Sequence, residues 1–377
     1  MSSVKPIPKK LVEQGEFFMR ICNACRYCEA YCAVFPALER RLTFGEGDLN
    51  YLANLCHNCG SCLDACQYAP PHEFQLNFPR ALAEIRGATY EKYSWPGSLA
   101  GLFRKNGLGV SLIAAASLAV FLIAVSALAG PAMRSAHSVA QGAFYAVVSH
   151  NAMVLSFGAV ALFVLLAFTV GLVRFWRDTG EPCGALASPS AWARAANDIL
   201  WLTNLDGGGE GCIYPEEEPS LSRRVLHHVT FYGFLCCFAA TTIAAGYEYL
   251  LGWLAPYGFF SVPVLLGTIG GIGLLIGPAG QLWLLWKRDP ALSDPAQRGM
   301  DLSFIVLLWL TSLSGLLLLL WRETAAMGVL LAAHLGLVLG LFLTMPYGKF
   351  AHLVYRAAAL LRYAIESARP APKFGAD

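Results

Sequence analysis

The sequence predicts a mainly α-helical protein in two parts, a small N-terminal domain outside the membrane followed by a six-span transmembrane helix bundle. Three observations carry that prediction. Two runs of closely spaced cysteines lie between Cys22 and Cys66. Six apolar runs follow, each near the roughly 20 residues that a helix needs to cross a bilayer. Of the 377 residues, 56% are hydrophobic and only 14% are charged, whereas a soluble domain is about 25% charged. The mean hydropathy is +0.51. A formal net charge of +2 is too small to argue for nucleic acid as a partner. The expected division is residues 1–90 for the N-terminal domain and 91–107 for a linker. Residues 108–366 form the bundle, with a large loop at 174–226, and 367–377 form a tail.

Residues 1–20 are polar and basic at Lys5, Lys9 and Lys10 and have no apolar centre, so no signal peptide is expected. The first cysteine run is Cys22, Cys25, Cys28, Cys32, and the second is Cys56, Cys59, Cys62, Cys66; each reads C-x2-C-x2-C-x3-C. That spacing holds [4Fe–4S] clusters in bacterial two-cluster ferredoxins, where the fourth cysteine of each run ligates the other cluster. By that rule Cys22, Cys25, Cys28 and Cys66 hold one cluster, and Cys56, Cys59, Cys62 and Cys32 hold the second. Crossed ligation ties the two halves into one ferredoxin-like fold. Structural zinc favours two separated pairs of ligands, and disulfides favour an oxidising compartment. Thiolate ligands suit the reducing cytoplasm. Ala33 and Gln67 stand where such runs usually have proline; Pro36 and Pro70 come later.

Between the runs, Phe44-Gly45-Glu46-Gly47 reads as a turn and the residues after it as a short helix leading into Cys56. Phe74 to Arg86 has helical spacing and is expected to pack on the clusters. Gly87 to Gly107 reads as linker, with Trp95 at a membrane interface. The spans are expected at about 108–130, 150–173, 229–254, 261–286, 302–321 and 326–346, the last continuing as helix to about 366. Arg104, Lys105, Arg174, Arg177, Arg223, Arg224, Lys287, Arg288, Lys349 and Arg356 then fall on one side, and Arg134 and Arg322 on the other. The positive-inside rule places both termini and the cluster domain in the cytoplasm.

The loop at 174–226 holds the glycine-rich stretch Gly207 to Gly211 and then Cys212. It has no preceding strand and no phosphate-loop lysine, so it reads as an ordered loop against the cluster domain or a partner. Cys183 and Cys212 read as free thiols.

His57 and His72 are expected to pack or tune the cluster domain, and His137 lies in an outer loop. Ionisable residues in or at the edge of a span are functional candidates, which singles out His150, His227, His228, His334 and His352. His334 and His352 are 18 residues apart, so on one continuous helix they share a face about 27 Å apart. Depth pairs His228 or His227 with His352 near the inner surface, and His150 with His334 nearer the outer one. Histidine pairs on facing helices are a way to hold haem b in a bundle. The glycines Gly267, Gly270, Gly271 and Gly273 suit either a flat porphyrin or close helix packing. Trp283, Trp286 and Tyr347 suit either a quinone pocket or an aromatic belt.

Taken together, the double cysteine run, the stretch Gly207-Gly208-Gly209-Glu210-Gly211-Cys212-x-Tyr214-Pro215, the segment Ser222-Arg223-Arg224-x-x-His227-His228 and six spans resemble the tricarballylate-utilization protein B family, also called citrate-utilization protein B. The resemblance covers nearly the whole chain. It implies two [4Fe–4S] clusters and b-type haem in a protein of the bacterial inner membrane. It also implies electrons taken from the FAD of a partner tricarballylate dehydrogenase and passed to the quinone pool. The stretch Pro346-Tyr347-Gly348-Lys349-Phe350-x-His352, with His334 before it, is similar to the last helix of respiratory nitrate reductase gamma subunits, which bind two haems b. That similarity implies His334 and His352 as haem ligands. The chain has no nucleophile–base pattern and no dinucleotide fingerprint, so the organic chemistry is expected in the partner and this chain serves as its electron-transfer subunit. Two other readings stay open: a quinol-oxidising subunit feeding a cytoplasmic reductase, and a cluster-based redox sensor. Sequence leaves the direction of flow open, because potentials depend on contacts beyond the ligands.

Overall fold

The computed structural model describes residues 6–138, 142–213 and 218–370. Lys5, Tyr214, Pro215 and residues 371–377 of the expected tail lie outside the described residues. Among the described residues, six helices are long and apolar enough to cross a membrane, and a helical head precedes them.

The head begins with α1 (Lys9–Cys25), which ends at the first cysteine run. There Arg26 adopts a left-handed conformation (φ 56°) and its N–H caps the Cys22 carbonyl. After α2 (Val34–Leu38), α3 (Glu46–Leu55) runs directly into Cys56, and the Asp48 carboxylate accepts from Gly45 N at 3.2 Å at its start. A short α4 (Ser61–Asp64) carries Cys62. The helix expected from Phe74 instead starts later, as α5 (Phe78–Tyr93), because the Asn77 side chain caps it by accepting from Arg80 N at 3.1 Å. Pro79 sits in the first turn, where its missing N–H leaves no bond unmade. α5 crosses the expected boundary at residue 90, so part of the expected linker is helix. Tyr51, Leu52, Leu55, Leu82, Ile85, Tyr90 and Tyr93 form the centre of the head core.

The bundle comprises α6 (Asn106–Ala129), α7 (His150–Asp178), α9 (Ser222–Leu251), α10 (Val262–Lys287), α11 (Arg298–Leu320) and α12 (Met327–Thr344). The loop between α7 and α9 holds α8 (Pro189–Trp201) and two short strands, β1 (Cys212–Ile213) and β2 (Pro219–Ser220). The strands pair antiparallel, with Cys212 opposite Ser220.

The sixth span does not continue to residue 366. It ends in a tight turn at Met345–Tyr347, followed by extended backbone at Gly348 (φ −131°, ψ −166°), and a new helix, α13 (Ala351–Ser367), begins beyond it. Pro346 is the physical reason: it lacks an N–H, and its ring collides with the carbonyl one turn earlier. His334 and His352 therefore lie on separate helices, and the one-face argument from their spacing fails. α13 turns back onto the head, burying Ala358, Ala359, Leu361, Ala364 and Ile365 in the same core as α3 and α5.

α9 and α10 pack through small residues. A Cβ on Gly270 would lie 2.6 Å from the Gly233 carbonyl oxygen and 2.9 Å from Cys237 N, and one on Gly271 would lie 3.0 Å from the Leu316 side chain. These glycines serve helix packing, not the approach of a porphyrin. Gly270→Val is expected to force α9 and α10 apart and to destabilise the bundle by at least about 1–3 kcal/mol, the usual cost of overpacking. A lower thermal midpoint in detergent would show it. Trp283 and Trp286 face outward, whereas Tyr347 is buried and donates to the Trp95 carbonyl at 2.7 Å, so the three do not form one pocket.

Candidate functional site

The last turn of α1 and the turn after it bring Cys22 beside Cys25, Cys28 and Cys66. Cys32 stands beside Cys56 and Cys59, and Cys62 beside Cys56, Cys59 and Cys32. These neighbours are compatible with the expected crossed grouping, and Cys28 also stands near Cys59, Cys32 and Cys62. A cavity of about 130 Å³ is lined by Cys22, Cys25, Cys28, Cys66 and also Cys62, with Phe35 and Phe78 stacked 5.5 Å apart beside it. No disulfide forms, and among the described residues no three ligating side chains close around a single metal ion. The donor set fits a cuboidal cluster better than one tetrahedral zinc. Burial, and then the neighbouring thiols, push Cys22 well up and Cys28 to about 11; burial also raises Cys32 and Cys62. Without metal these groups stay protonated, so binding iron must release protons.

The grouping is testable. Cys66→Ala is expected to remove the same electron paramagnetic resonance (EPR) signal that Cys25→Ala removes, and to roughly halve the iron per chain. Loss of the signal that depends on Cys59 would contradict it.

The glycine-rich loop covers the second thiol group. Ile213 N donates to the Cys59 carbonyl at 3.3 Å, and Ser61 Oγ donates to the Gly211 carbonyl at 3.1 Å. Gly211 has φ +114°, and a Cβ there would meet the Ser220 backbone, so only glycine suits the position. Cys212 is buried at 0% exposure and hydrogen-bonds Cys59, while Cys183 is exposed. That bond, more than any other influence, pulls the Cys59 thiol down to about 6, and it pushes Cys212 up, so the shared proton belongs to Cys212. Asn58 N–H points at Cys56 Sγ at 3.3 Å. Three arginines hold the backbone of this run. Arg86 donates to the carbonyls of Ala53 (3.1 Å) and Cys56 (2.9 Å), Arg356 to Cys56 (2.7 Å), and Arg223 to Asn58 (2.8 Å).

On the far side of those arginines lies a cavity of about 230 Å³, where α9, α10, α11 and α13 meet the second cysteine run. Its lining includes His57, Asn58, Arg223, His227, Phe234, Asp301, Lys349, Phe350, His352 and Arg356. The rings of His227 and His352 face each other with centres 6.2 Å apart and planes 82° to one another. Two imidazoles on opposite faces of one metal ion, with bonds of about 2.0 Å, also hold their ring centres about 6 Å apart. His352 Nδ1 lies 2.6 Å from the Lys349 carbonyl, which fixes the ring and leaves Nε2 for a ligand. His227 Nδ1 is buried and has no hydrogen-bond partner. Burial, with Arg356 and Lys349 nearby, holds His352 well below the ordinary histidine range, and burial does the same to His57. Both are neutral at pH 7, the form that binds metal.

The other expected histidines are placed differently. His228 is one residue past His227 and so about 100° further round the helix; it packs on Tyr232 at 5.7 Å instead of facing His352. His150 Nδ1 meets Glu248 Oε1 at 2.8 Å and its Nε2 meets the Tyr249 hydroxyl at 3.2 Å, so α9 occupies both ring nitrogens. His334 Nδ1 lies 3.0 Å from Ser314 Oγ, and its ring packs against Gly315. The structure gives the expected outer pair separate partners. Sequence reasoning passed over Arg86, Arg356 and the Lys349–Asp301 ion pair (2.7 Å). One signal was available: Arg356 follows His352 by one helical turn.

Residues 103–373 match the family described as citrate utilization protein B, and residues 16–92 match its Fer4-like domain. The chain is 52% identical over 355 residues to Citrate utilization protein B of Escherichia coli, a match covering 94% of this chain and 92% of that protein. No solved structure matches.

Proposed function

Because the chain belongs to the citrate utilization protein B family, we propose that it re-oxidises the FAD of a partner tricarballylate dehydrogenase and delivers the electrons to the quinone pool. In this reading Cys22, Cys25, Cys28 and Cys66 hold one [4Fe–4S] cluster, Cys56, Cys59, Cys62 and Cys32 hold another, and His227 with His352 holds one haem b. When bound, these groups supply one-electron carriers between a two-electron flavin and a two-electron quinone. The head and the C-terminus lie on the cytoplasmic side of a bacterial inner membrane, a placement supported by the distribution of Arg and Lys.

The observation that carries the reading is the shared cavity. One wall is the second cysteine run at His57 and Asn58; the other is the facing pair His227 and His352. Phe350 packs on Phe234 at 5.4 Å and on Phe304 at 6.3 Å, giving the bundle side of the cavity an apolar wall. Arg223 and Arg356 offer positive charge to the carboxylates of a porphyrin.

The test is reconstitution of the full chain with the FAD-dependent dehydrogenase in quinone-containing vesicles, with tricarballylate and citrate each offered as substrate. Substrate-dependent quinol formation that needs both proteins is the expected result. Quinol formation at the same rate without this chain, or a reduced flavin that the chain does not re-oxidise, would overturn the proposal.

A further inference from the structure

The two thiol groups sit in different electrostatic surroundings. Around the second group, Arg86 and Arg356 both donate to the Cys56 carbonyl and Arg223 donates to Asn58. Arg86 is only 5% exposed, so water screens its charge little. The sulfurs of this group also receive donors: Asn58 N–H on Cys56, and Cys212 and Ser61 on Cys59. The first group differs. Arg26, the guanidinium of that run, reaches the Asn23 carbonyl at 3.2 Å in an exposed position.

Reducing a cluster adds one negative charge. Buried cations and hydrogen bonds to sulfur stabilise the reduced form and so raise its potential. We propose that Arg86, Arg223, Arg356 and Cys212 hold the second cluster at a higher reduction potential than the first. One electron then leaves the reduced first cluster and arrives on the oxidised second, toward the histidine cavity. The inference rests on the reading in which both cysteine groups hold clusters, and it supplies the direction of flow that sequence left open.

The experiment is an EPR-monitored redox titration of the anaerobic full chain, with Cys25→Ala assigning the first cluster. The second cluster is expected to titrate at least about 59 mV higher, a tenfold preference for the electron. Arg223→Gln should cost the second cluster about a tenfold share and leave the first unchanged, with Arg223→Lys restoring most of it. Cys212→Ala should lower the second cluster in the same direction, and it carries the test should Arg223→Gln fail to fold. Equal or inverted potentials in the wild type would overturn the inference while leaving the clusters in place. So would a shift common to both clusters, or identical behaviour of the Gln and Lys variants. Absence of both cluster signals from the wild type would instead refute the underlying reading.

Discussion

His352→Ala is expected to abolish b-type haem absorption while iron and acid-labile sulfide stay at wild-type levels. His352 is the first-turn histidine of α13, and its ring centre lies 6.2 Å from that of His227, so in the proposed reading the two would hold the haem together. Removing either member leaves one histidine of the facing pair without its partner across the cavity. His227→Ala should behave like His352→Ala. His228→Ala and His150→Ala should retain haem, because His228 packs on Tyr232 away from His352 and Glu248 and Tyr249 occupy both ring nitrogens of His150. His352 is not among the residues that hold the cysteine runs, so cluster content separates a loss of haem from a general failure to fold. Undiminished haem in His352→Ala would sink the assignment.

Glu366→Ala is expected to release α13 from the head. Its carboxylate pairs with Arg41 and Arg362 and accepts from the Tyr51 hydroxyl at 3.0 Å. The side chains are nearly closed to water, Glu366 at 8%, Arg41 at 11% and Arg362 at 6% exposure. Breaking a buried pair costs about 3–5 kcal/mol, because the charges left behind stay desolvated. Asp48 remains 2.6 Å from Arg41 and 3.8 Å from Arg362, which places the expected loss near the low end, about 3 kcal/mol. The measurement is the thermal midpoint for loss of cluster absorbance, with protease sensitivity of α13 beside it. An unchanged midpoint would mean that the network contributes specificity and little stability. Because α13 carries both His352 and Arg356, the same variant should bind haem more weakly.

The parts legible in the sequence are those written in local spacing. Three cysteines two residues apart state a ligand set without reference to the rest of the chain, and apolar runs near 20 residues state their own length in a bilayer. The helix leading into Cys56 was legible from the glycine turn that starts it. What depended on distant contacts was not legible. Choosing between His227 and His228 requires knowing which face of α9 meets α13. The break before α13 was signalled by Pro346 and Gly348, yet the composition on both sides is helical, and only packing on the head shows that the chain leaves the bundle there. Arg356 reaches Cys56 across 300 residues of sequence, and Cys212 reaches Cys59 from a loop whose docking place the sequence left open. His150 illustrates the reverse case. It sat at a suggestive depth, and Glu248 and Tyr249 occupy both of its ring nitrogens.

The most direct test of the account is an optical redox-difference spectrum of the anaerobically purified protein, reduced with dithionite and then re-oxidised with a quinone analogue. The account predicts sharp b-type haem bands over a broad cluster bleach, both reversed by quinone. A cluster bleach without haem bands would contradict it and leave the His227–His352 cavity without its proposed ligand; so would haem and clusters that remain reduced after the quinone is added.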